Sequence, residues 1–476
     1  MDTIITEVSD TLWGYLLIYA VIACGIWFTL RTKGVQFRML GEMFRLLTDT
    51  SSPNEKQDNG QKHISSFQAF AVSVATRVGT GNLAGVATAI HIGGPGAVFW
   101  MWVMALFGAA TSFVESTLGQ LFKQRDKDSF VGGPAYYILK GLHLRWMAYL
   151  SAILIALTFG LVYNAIQGNT ICSAMEGAFG WDPLLIGIII AAMGLFIVFG
   201  GIHRIANVSS VLVPIMAIGY FILAAVVVLM NIHLIPHVMK VIVTSAFGLE
   251  QGIGGALGVT VMMGVKRGLF SNEAGEGSIP NVAATATVSH PVKQGLIQSL
   301  GVFTDTLLVC SCTAFVILVS GLYAVPELDG VALTQAALGS EIGASGPTFI
   351  AIAIFLFAFS SIIGNYYYGE ANIRFISRNS KLSTLNSQLL LTVYRIFAAG
   401  VVVIFGATVS LKVVWNLGDL FMALVTGCNL IAISILGKYV FRLLEDYRAQ
   451  KRRGIHEPTF HRSQLPEIEH SIDCWE

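Results

Sequence analysis

The sequence predicts an all-α polytopic membrane protein, and three observations carry that prediction. Of the 476 residues, 54% are hydrophobic and only 12% are charged, against about 25% charged in soluble domains. Mean hydropathy is +0.69. Apolar runs of about 20 residues, enough to cross a ~30 Å hydrocarbon core as helix, recur along the whole chain. The net charge of +1, with no basic patch interleaved with aromatics, leaves no footprint for nucleic acid.

Reading apolar runs against polar breaks gives eleven spans. They lie at about 12–30, 66–92, 96–121, 147–172, 183–200, 208–231, 252–288, 294–322, 347–373, 388–411 and 415–442. The N-terminus, MDTIITEVSD, carries no Lys or Arg. A secretory leader begins basic, so the first span is expected to be retained. Lys and Arg concentrate in cytoplasmic loops. Here they fill alternate loops: Arg31, Lys33, Arg38, Arg45, Lys56 and Lys62; then Lys123, Arg125, Lys127, Lys140 and Arg145; then Arg204; then Lys293; then Arg374, Arg378 and Lys381. Lys240 and Lys412 are the exceptions. The pattern places the N-terminus outside and the C-terminus in the cytoplasm. The tail from about 443 is polar and mixed in charge, and reads as a short, partly disordered cytoplasmic extension. Six scattered cysteines have no zinc or disulfide spacing and read as small buried hydrophobes.

Two spans are interrupted. "RVGTGNLAG" (77–85) places three glycines inside an apolar segment, and "RGLFSNEAGEGS" (267–278) does so again. The first is not a dinucleotide fingerprint: no strand precedes it, and its last glycine falls one residue late for G-x-G-x-x-G. Glycine lets a membrane helix open. Opened backbone is tolerated at bilayer depth only when buried in protein or lining a cavity. Counting five spans from the first break leads to the second. The expected organisation is an N-terminal helix and loop (1–64), a five-helix unit (65–235, broken at 79–85), an inverted five-helix unit (236–442, broken at 268–278) and a tail (443–476). Interrupted helices in matching places of inverted halves point to a transporter binding site. Close packing through G-x-x-x-G, at Gly81/Gly85 and Gly254/Gly258, is the plainer alternative. It leaves Asn82, Asn272, Glu273 and Glu276 at the breaks unexplained.

A third polar cluster, "FAFSSIIGNY" (357–366), sets Ser360 and Ser361 within a span. Paired hydroxyls suit a hard cation such as sodium, and equally suit bonding back to their own helix. Intramembrane charges include Arg77, Glu115, Glu273, Glu276, Asp305 and Glu370; such groups usually mark function or pair with one another. Arg77 and Glu273 form a candidate pair across the breaks. No P-loop, H-E-x-x-H or G-x-S-x-G occurs, so neither ATP-driven pumping nor enzymatic catalysis is expected. An ion gradient remains as the energy source, with sodium favoured by the serines and protons available to the acids.

The stretches "TRVGTGNLAGVATAIHIGGPGAVFWMW", "FSNEAGEGS" and "FAFSSIIGNYYYGE" resemble the alanine-or-glycine:cation symporter family, the sodium:alanine symporters, with similarity from about 12 to 442. The resemblance implies a leucine-transporter-like core of 5+5 inverted repeats with one extra N-terminal helix. It implies no organic cofactor, sodium as the coupling ion, and import of a small neutral amino acid across a bacterial-type plasma membrane. The substrate carboxylate is expected at Thr80, Gly81 and Asn82, and its ammonium at Phe270 and Ser271 with Asn272 close by. Gln167 is expected beside it, and Gly364 and Asn365 on its side chain. Sodium is expected between Ala75, Val78, Ser360 and Ser361. Arg77, Glu273 and Glu276 are candidates for gating or charge pairing. Many members carry Met or Leu where this chain has Glu276, and Trp where it has Asn365. These departures leave alanine or glycine as the first choice, with glutamine, serine or D-alanine open.

Overall fold

The computed structural model describes residues 2–48, 64–126, 129–248, 254–380 and 384–475; Lys56, Lys62, Lys127 and Lys381 of the basic loops fall outside them. Eight helices among the described residues are long and apolar enough to cross a membrane: α1 (Ile5–Arg31), α5 (Ala97–Leu121), α6 (Arg145–Phe179), α8 (Gly201–Met230), α12 (Pro291–Ser320), α14 (Ser345–Asn379), α15 (Asn386–Thr408) and α16 (Leu411–Arg452). The shorter apolar helix α7 (Pro183–Val198) accounts for a further expected span. The remaining two are the interrupted segments: α3 (Ser66–Arg77) with α4 (Val86–Gly93), and α10 (Gly254–Asn272) with α11 (Ile279–Ala283). Smaller elements are α2 (Leu40–Thr48), α9 (Ile235–Ala246), α13 (Gly330–Ile342) and a hairpin of β1 (Gln124–Asp126) and β2 (Ser129–Val131), paired antiparallel with Gln124 opposite Val131. The hairpin is a feature the hydropathy pattern did not reveal.

Local chemistry sets the helix ends. Ser65 and Gln68 form a reciprocal capping box at the start of α3, satisfying two orphan amides. Asp182 caps α7, with Pro183 in its first turn, where the missing N–H costs nothing. Outward faces are apolar: Ile188, Ile189 and Phe196 on α7 and Ile215, Ile218 and Ile222 on α8 are exposed, as lipid contact requires. The buried interior is polar for its depth, holding Arg77, Glu115, Glu273, Glu276 and Asp305 at 2% exposure or less.

Both breaks are narrower than the glycine pattern suggested. The first is not open over 79–85. Only Val78 and Gly79 leave the helix, and Gly81–Gly85 rewinds as a π-turn. In the second, 268–272 stays helical, and the chain opens at Glu273–Ser278. Glycine permits opening, but neighbouring donors and acceptors decide where it stops. Close G-x-x-x-G packing does not describe Gly258, around which a Cβ would meet open space.

The tail also departs from expectation. α16 continues to Arg452, and Phe460, Leu465, Ile468, Ile472 and Trp475 are buried. The backbone N–H of Phe460 donates to the Ser289 carbonyl (2.9 Å), and Trp475 Nε1 donates to the Gln120 carbonyl (3.2 Å). Glu42 of α2 anchors the end of α16, accepting from Tyr447 (2.6 Å) and pairing with Arg45 (2.8 Å) and Lys451 (3.0 Å). Burial alone would raise the Glu42 carboxyl, but hydrogen bonds from Arg45, Tyr447 and Lys451 outweigh it and hold the group at about 2, below its usual 4.5. A lowered folded-state value means the anchor is at full strength above about 4.5 and is lost as pH falls through about 2. The protection of tail amides against hydrogen exchange, relative to the unfolded chain at the same pH, should therefore fall only across that acid window. At neutral pH, Glu42→Gln should speed tryptic cleavage after Arg452 and Arg453 several-fold; unchanged cleavage would show the anchor to be idle.

Candidate substrate and cation site

The first break is built around Gly79. A Cβ there would overlap Ser361 Oγ and lie 3.1 Å from Gln167 Oε1, so no side chain fits. Its N–H donates to Asn82 Oδ1 (2.9 Å). The Thr80 N–H donates to Gln167 Oε1 (3.1 Å), and the Thr80 hydroxyl donates to the same oxygen. An acceptor oxygen thus already sits on the opened amide, in the place expected for a carboxylate. Gly81 lies against the second break: a Cβ on it would stand 3.0 Å from the Phe270 ring and 3.2 Å from Ser271 Cα.

The serine pair faces the end of α3. Ser360 Oγ donates to the Ala75 carbonyl (3.1 Å). Ser361 Oγ lies 3.0 Å from the Ala75 carbonyl and 3.1 Å from that of Thr76. Both hydroxyls also reach the Phe357 carbonyl of their own helix, at 2.8 and 3.0 Å. Two hydroxyls and two carbonyls, all neutral hard oxygens, therefore converge, a donor set that fits sodium. Val78 is buried next to the break, but the carbonyl that joins Ala75 here is that of Thr76. Among the described residues no group of three or more His, Cys, Asp or Glu suits a metal ion.

The second break is held from outside itself. Glu273 adopts φ +55°, rare for a residue with a side chain, and accepts from Ser278 Oγ (2.5 Å). Glu115 of α5 receives the Gly275 and Gly277 amides, one on each oxygen at 3.1 Å, and Asn429 Nδ2 at 2.9 Å. Phe270, Ser271 and Asn272 form the last turn of α10, whose carbonyls have no later turn to bond to. Such a helix end favours a cation or ammonium. Asn272 is engaged: its Nδ2 donates to Thr306 Oγ1 (3.1 Å) and its Oδ1 accepts the Ala274 amide (3.0 Å).

Asp305, on the π-wound Phe303–Cys310 segment of α12, joins the breaks. Asn82 Nδ2 donates to its Oδ1 (2.6 Å), while Ser271 Oγ (2.6 Å) and Thr306 Oγ1 (3.0 Å) donate to its Oδ2. Intramembrane charge marked Asp305 and Glu115 in the sequence, but nothing there assigned them to the breaks.

One expectation needs correction, and two further residues are placed by other contacts. Arg77 does not pair with Glu273 or Glu276. It donates to the Gln298 carbonyl (2.9 Å) and Ser112 Oγ (3.0 Å), because Ser278 holds Glu273 and Tyr163 holds Glu276 through a 3.0 Å bond. Gly364 is a packing glycine, on which a Cβ would overlap Thr76 Cγ2. Glu370 belongs to an ion-pair network with Arg374 (2.6 Å) and Arg395 (3.0 Å) at the far end of α14. A cavity of about 170 Å³ lies beside that network, between the hairpin and the start of α8, lined in part by Asp126, His203 and Arg374. It contains no residue of the breaks. Asn365 is buried, and neither atom of its carboxamide has a partner.

Opened backbone, convergent oxygens and a buried acid thus meet at two interrupted helices, and the family profile described as sodium:alanine symporter matches residues 1–462. The chain belongs to the sodium:alanine symporter family. This is a family of transporters, not enzymes. Relatives agree over full length. The chain is 49% identical over 475 residues to the probable sodium/glutamine symporter GlnT of Bacillus subtilis, covering 100% of this chain and 96% of that one. It is 49% identical over 476 residues to the amino-acid carrier protein AlsT of the same organism, covering 100% and 98%. It is 35% identical over 447 residues to the sodium/alanine symporter AgcS of Methanococcus maripaludis, covering 92% and 95%. Among solved structures, a mutant manganese transporter of Eremococcus coleocola superposes with TM-score 0.53 at 16% identity, over 77% of this chain and 78% of that one. That likeness concerns the fold alone.

The second break generates a stability prediction. Gly277 has φ +77°, and a Cβ on it would lie 2.6 Å from Pro134 Cγ and 2.9 Å from Asn429 Cγ. Gly277→Ala should destabilise the symporter by about 1–3 kcal/mol, read as a lowered unfolding temperature in detergent. Gly258→Ala, which meets open space, should not. Equal melting of the two variants would contradict the packing described.

Proposed function

We propose that this symporter imports a neutral amino acid with sodium across a bacterial-type plasma membrane by alternating access. The observation that carries the reading is the convergence of Ser360 and Ser361 with the Ala75 and Thr76 carbonyls at the mouth of the first break. Sodium held there ties α14 to the last turn of α3, four residues before the Thr80 amide where the carboxylate binds. A cation that binds one arrangement of these helices better than another shifts the population toward it. Reciprocity then requires substrate to raise sodium affinity by the same factor.

The remaining assignments belong to the same reading. The eleven spans form two inverted five-helix repeats after an N-terminal helix, with the N-terminus outside and the tail cytoplasmic. The substrate carboxylate meets Thr80, Gly81 and Asn82 and displaces Gln167, and the ammonium meets the last carbonyls of α10 at Phe270 and Ser271. Sodium is favoured over protons because the convergent oxygens are neutral. The printed names of relatives include both alanine and glutamine as substrates, so kinship alone does not select the side chain.

Uptake of labelled alanine and glutamine into proteoliposomes tests the coupling: an inward sodium gradient should drive accumulation and a potassium gradient should not. Equal uptake under both ions would exclude sodium coupling. Ser361→Ala should raise the sodium concentration for half-maximal uptake on the order of tenfold. Asn272→Ala, which loosens the second break, should lower uptake with a smaller change in sodium dependence. A wild-type sodium response in Ser361→Ala would remove that hydroxyl from the cation site.

A further inference from the structure

The outer ends of both interrupted helices are joined to each other. Ile64 directly precedes Ser65, the cap of α3. It bridges Ala286 of the segment that leaves α11, and its carbonyl accepts the Thr287 amide (3.1 Å). Gln120, at the end of α5, holds the same segment: its Nε2 donates to the Ala283 and Ala286 carbonyls. Buried Lys123 adds a 3.2 Å bond to the Ala286 carbonyl. The start of α3 and the exit from α11 thus form one junction on one face of the molecule.

The tail lies on that junction. The Phe460 amide donates to the Ser289 carbonyl (2.9 Å), and Ser289 Oγ donates to the Pro458 carbonyl (2.8 Å). Buried His290 packs edge-on against Phe460 and against Tyr447 of α16, with ring centroids 5.7 and 5.1 Å apart. Trp475 packs edge-on against Phe460 (5.4 Å) and donates to the Gln120 carbonyl (3.2 Å). The Lys123 ammonium sits over its ring, 4.7 Å from the centroid, a cation–π contact. Ion pairs fix the tail at both ends, Glu457 with Lys293 and Asp473 with Lys140.

We propose that residues 455–475 form a strap that lifts when this face of the transporter opens, and that its closure strengthens sodium binding at the far end of α3. The inference rests on the transport reading and adds a control on it. α3 is a rod of 12 residues, about 18 Å long, and it is held at both ends. Its last turn offers the Ala75 and Thr76 carbonyls to Ser360 and Ser361, where that reading places sodium. Its first turn follows the Ile64 junction that the tail covers. An arrangement in which α3 leaves α14 also displaces the near end of the rod, and so disrupts the junction and the strap over it. Two contacts that favour the same arrangement of one helix are linked, and each strengthens the other. None of these strap bonds reaches the serine pair or the first break, so an effect on sodium runs through α3.

Cys474, half-buried beside Trp475, is a native reporter of the strap. In proteoliposomes of the full chain, N-ethylmaleimide should alkylate Cys474 at least about fivefold more slowly in saturating sodium than in potassium. Mass spectrometry of the tryptic peptide that follows Arg462 reads the rate. Trp475→Ala should erase that protection and raise the sodium concentration for half-maximal uptake at least about fivefold. A merely structural role for Trp475 would lower the maximal rate and leave the sodium requirement unchanged. If Trp475→Ala fails to fold, the wild-type labelling still decides. Sodium-driven uptake with equal Cys474 labelling in both ions would overturn the strap and leave the transport reading standing. An unchanged sodium requirement in folded Trp475→Ala would do the same. Uptake that ignores sodium would overturn the transport reading, and the strap's link to sodium with it.

Discussion

A helix opened at bilayer depth must find partners for its bared backbone within the protein, and the rest of this structure is arranged around that need. The second break is the demanding one. Its Gly275 and Gly277 amides point away from any helical acceptor and converge on the two oxygens of Glu115. Asn429 of α16 closes the arrangement by donating both to Glu115 and to the Gly275 carbonyl, each at 2.9 Å. A carboxylate is the strongest acceptor available for paired amides. Those same donors offset part of the cost of its burial. One acid from α5 and one amide from α16 thus hold a six-residue turn from outside it.

The buried acids at the breaks are held in three ways. Glu115 and Asp305 are saturated by neutral donors and act as mortar, the first inside one break and the second between both. Glu273 is tied to its own turn by Ser278. Glu276 alone keeps an oxygen in reserve. Arg77, buried among them, donates to Gln298 and Ser112 rather than to any of them. The acids at the breaks are thus solvated by dipoles rather than by countercharge, whereas the nearby buried Asp419 is paired with Lys266 and Arg267 at 3.1 and 2.7 Å.

Much of the scaffold was legible in the sequence because hydropathy reports it directly. The apolar runs correspond to helices, and the glycines of 79–85 and 268–278 marked where two of them open. Residues at the breaks were also legible as polar anomalies: Asn82, Ser271 and the Ser360–Ser361 pair are where the structure brings oxygens and amides together. What stayed hidden was partnership across distance. Glu115 meets Gly275 across 160 positions and Asn82 meets Asp305 across 223, and one chain contains no signal for such pairing. The Arg77–Glu273 expectation failed for the same reason, since opposite sign says nothing of a serine five residues away. The tail was misread because its five buried apolar side chains are spaced among prolines and charges that lower any windowed hydropathy.

Gln167 sets the terms on which the proposed carboxylate would bind. Its amide oxygen accepts from both the Thr80 N–H and the Thr80 hydroxyl, so a carboxylate at Thr80 would replace a neutral acceptor with a charged one. Charge-assisted hydrogen bonds are roughly twice as strong as neutral ones, so under the proposed reading the exchange itself favours the acidic end of an amino acid.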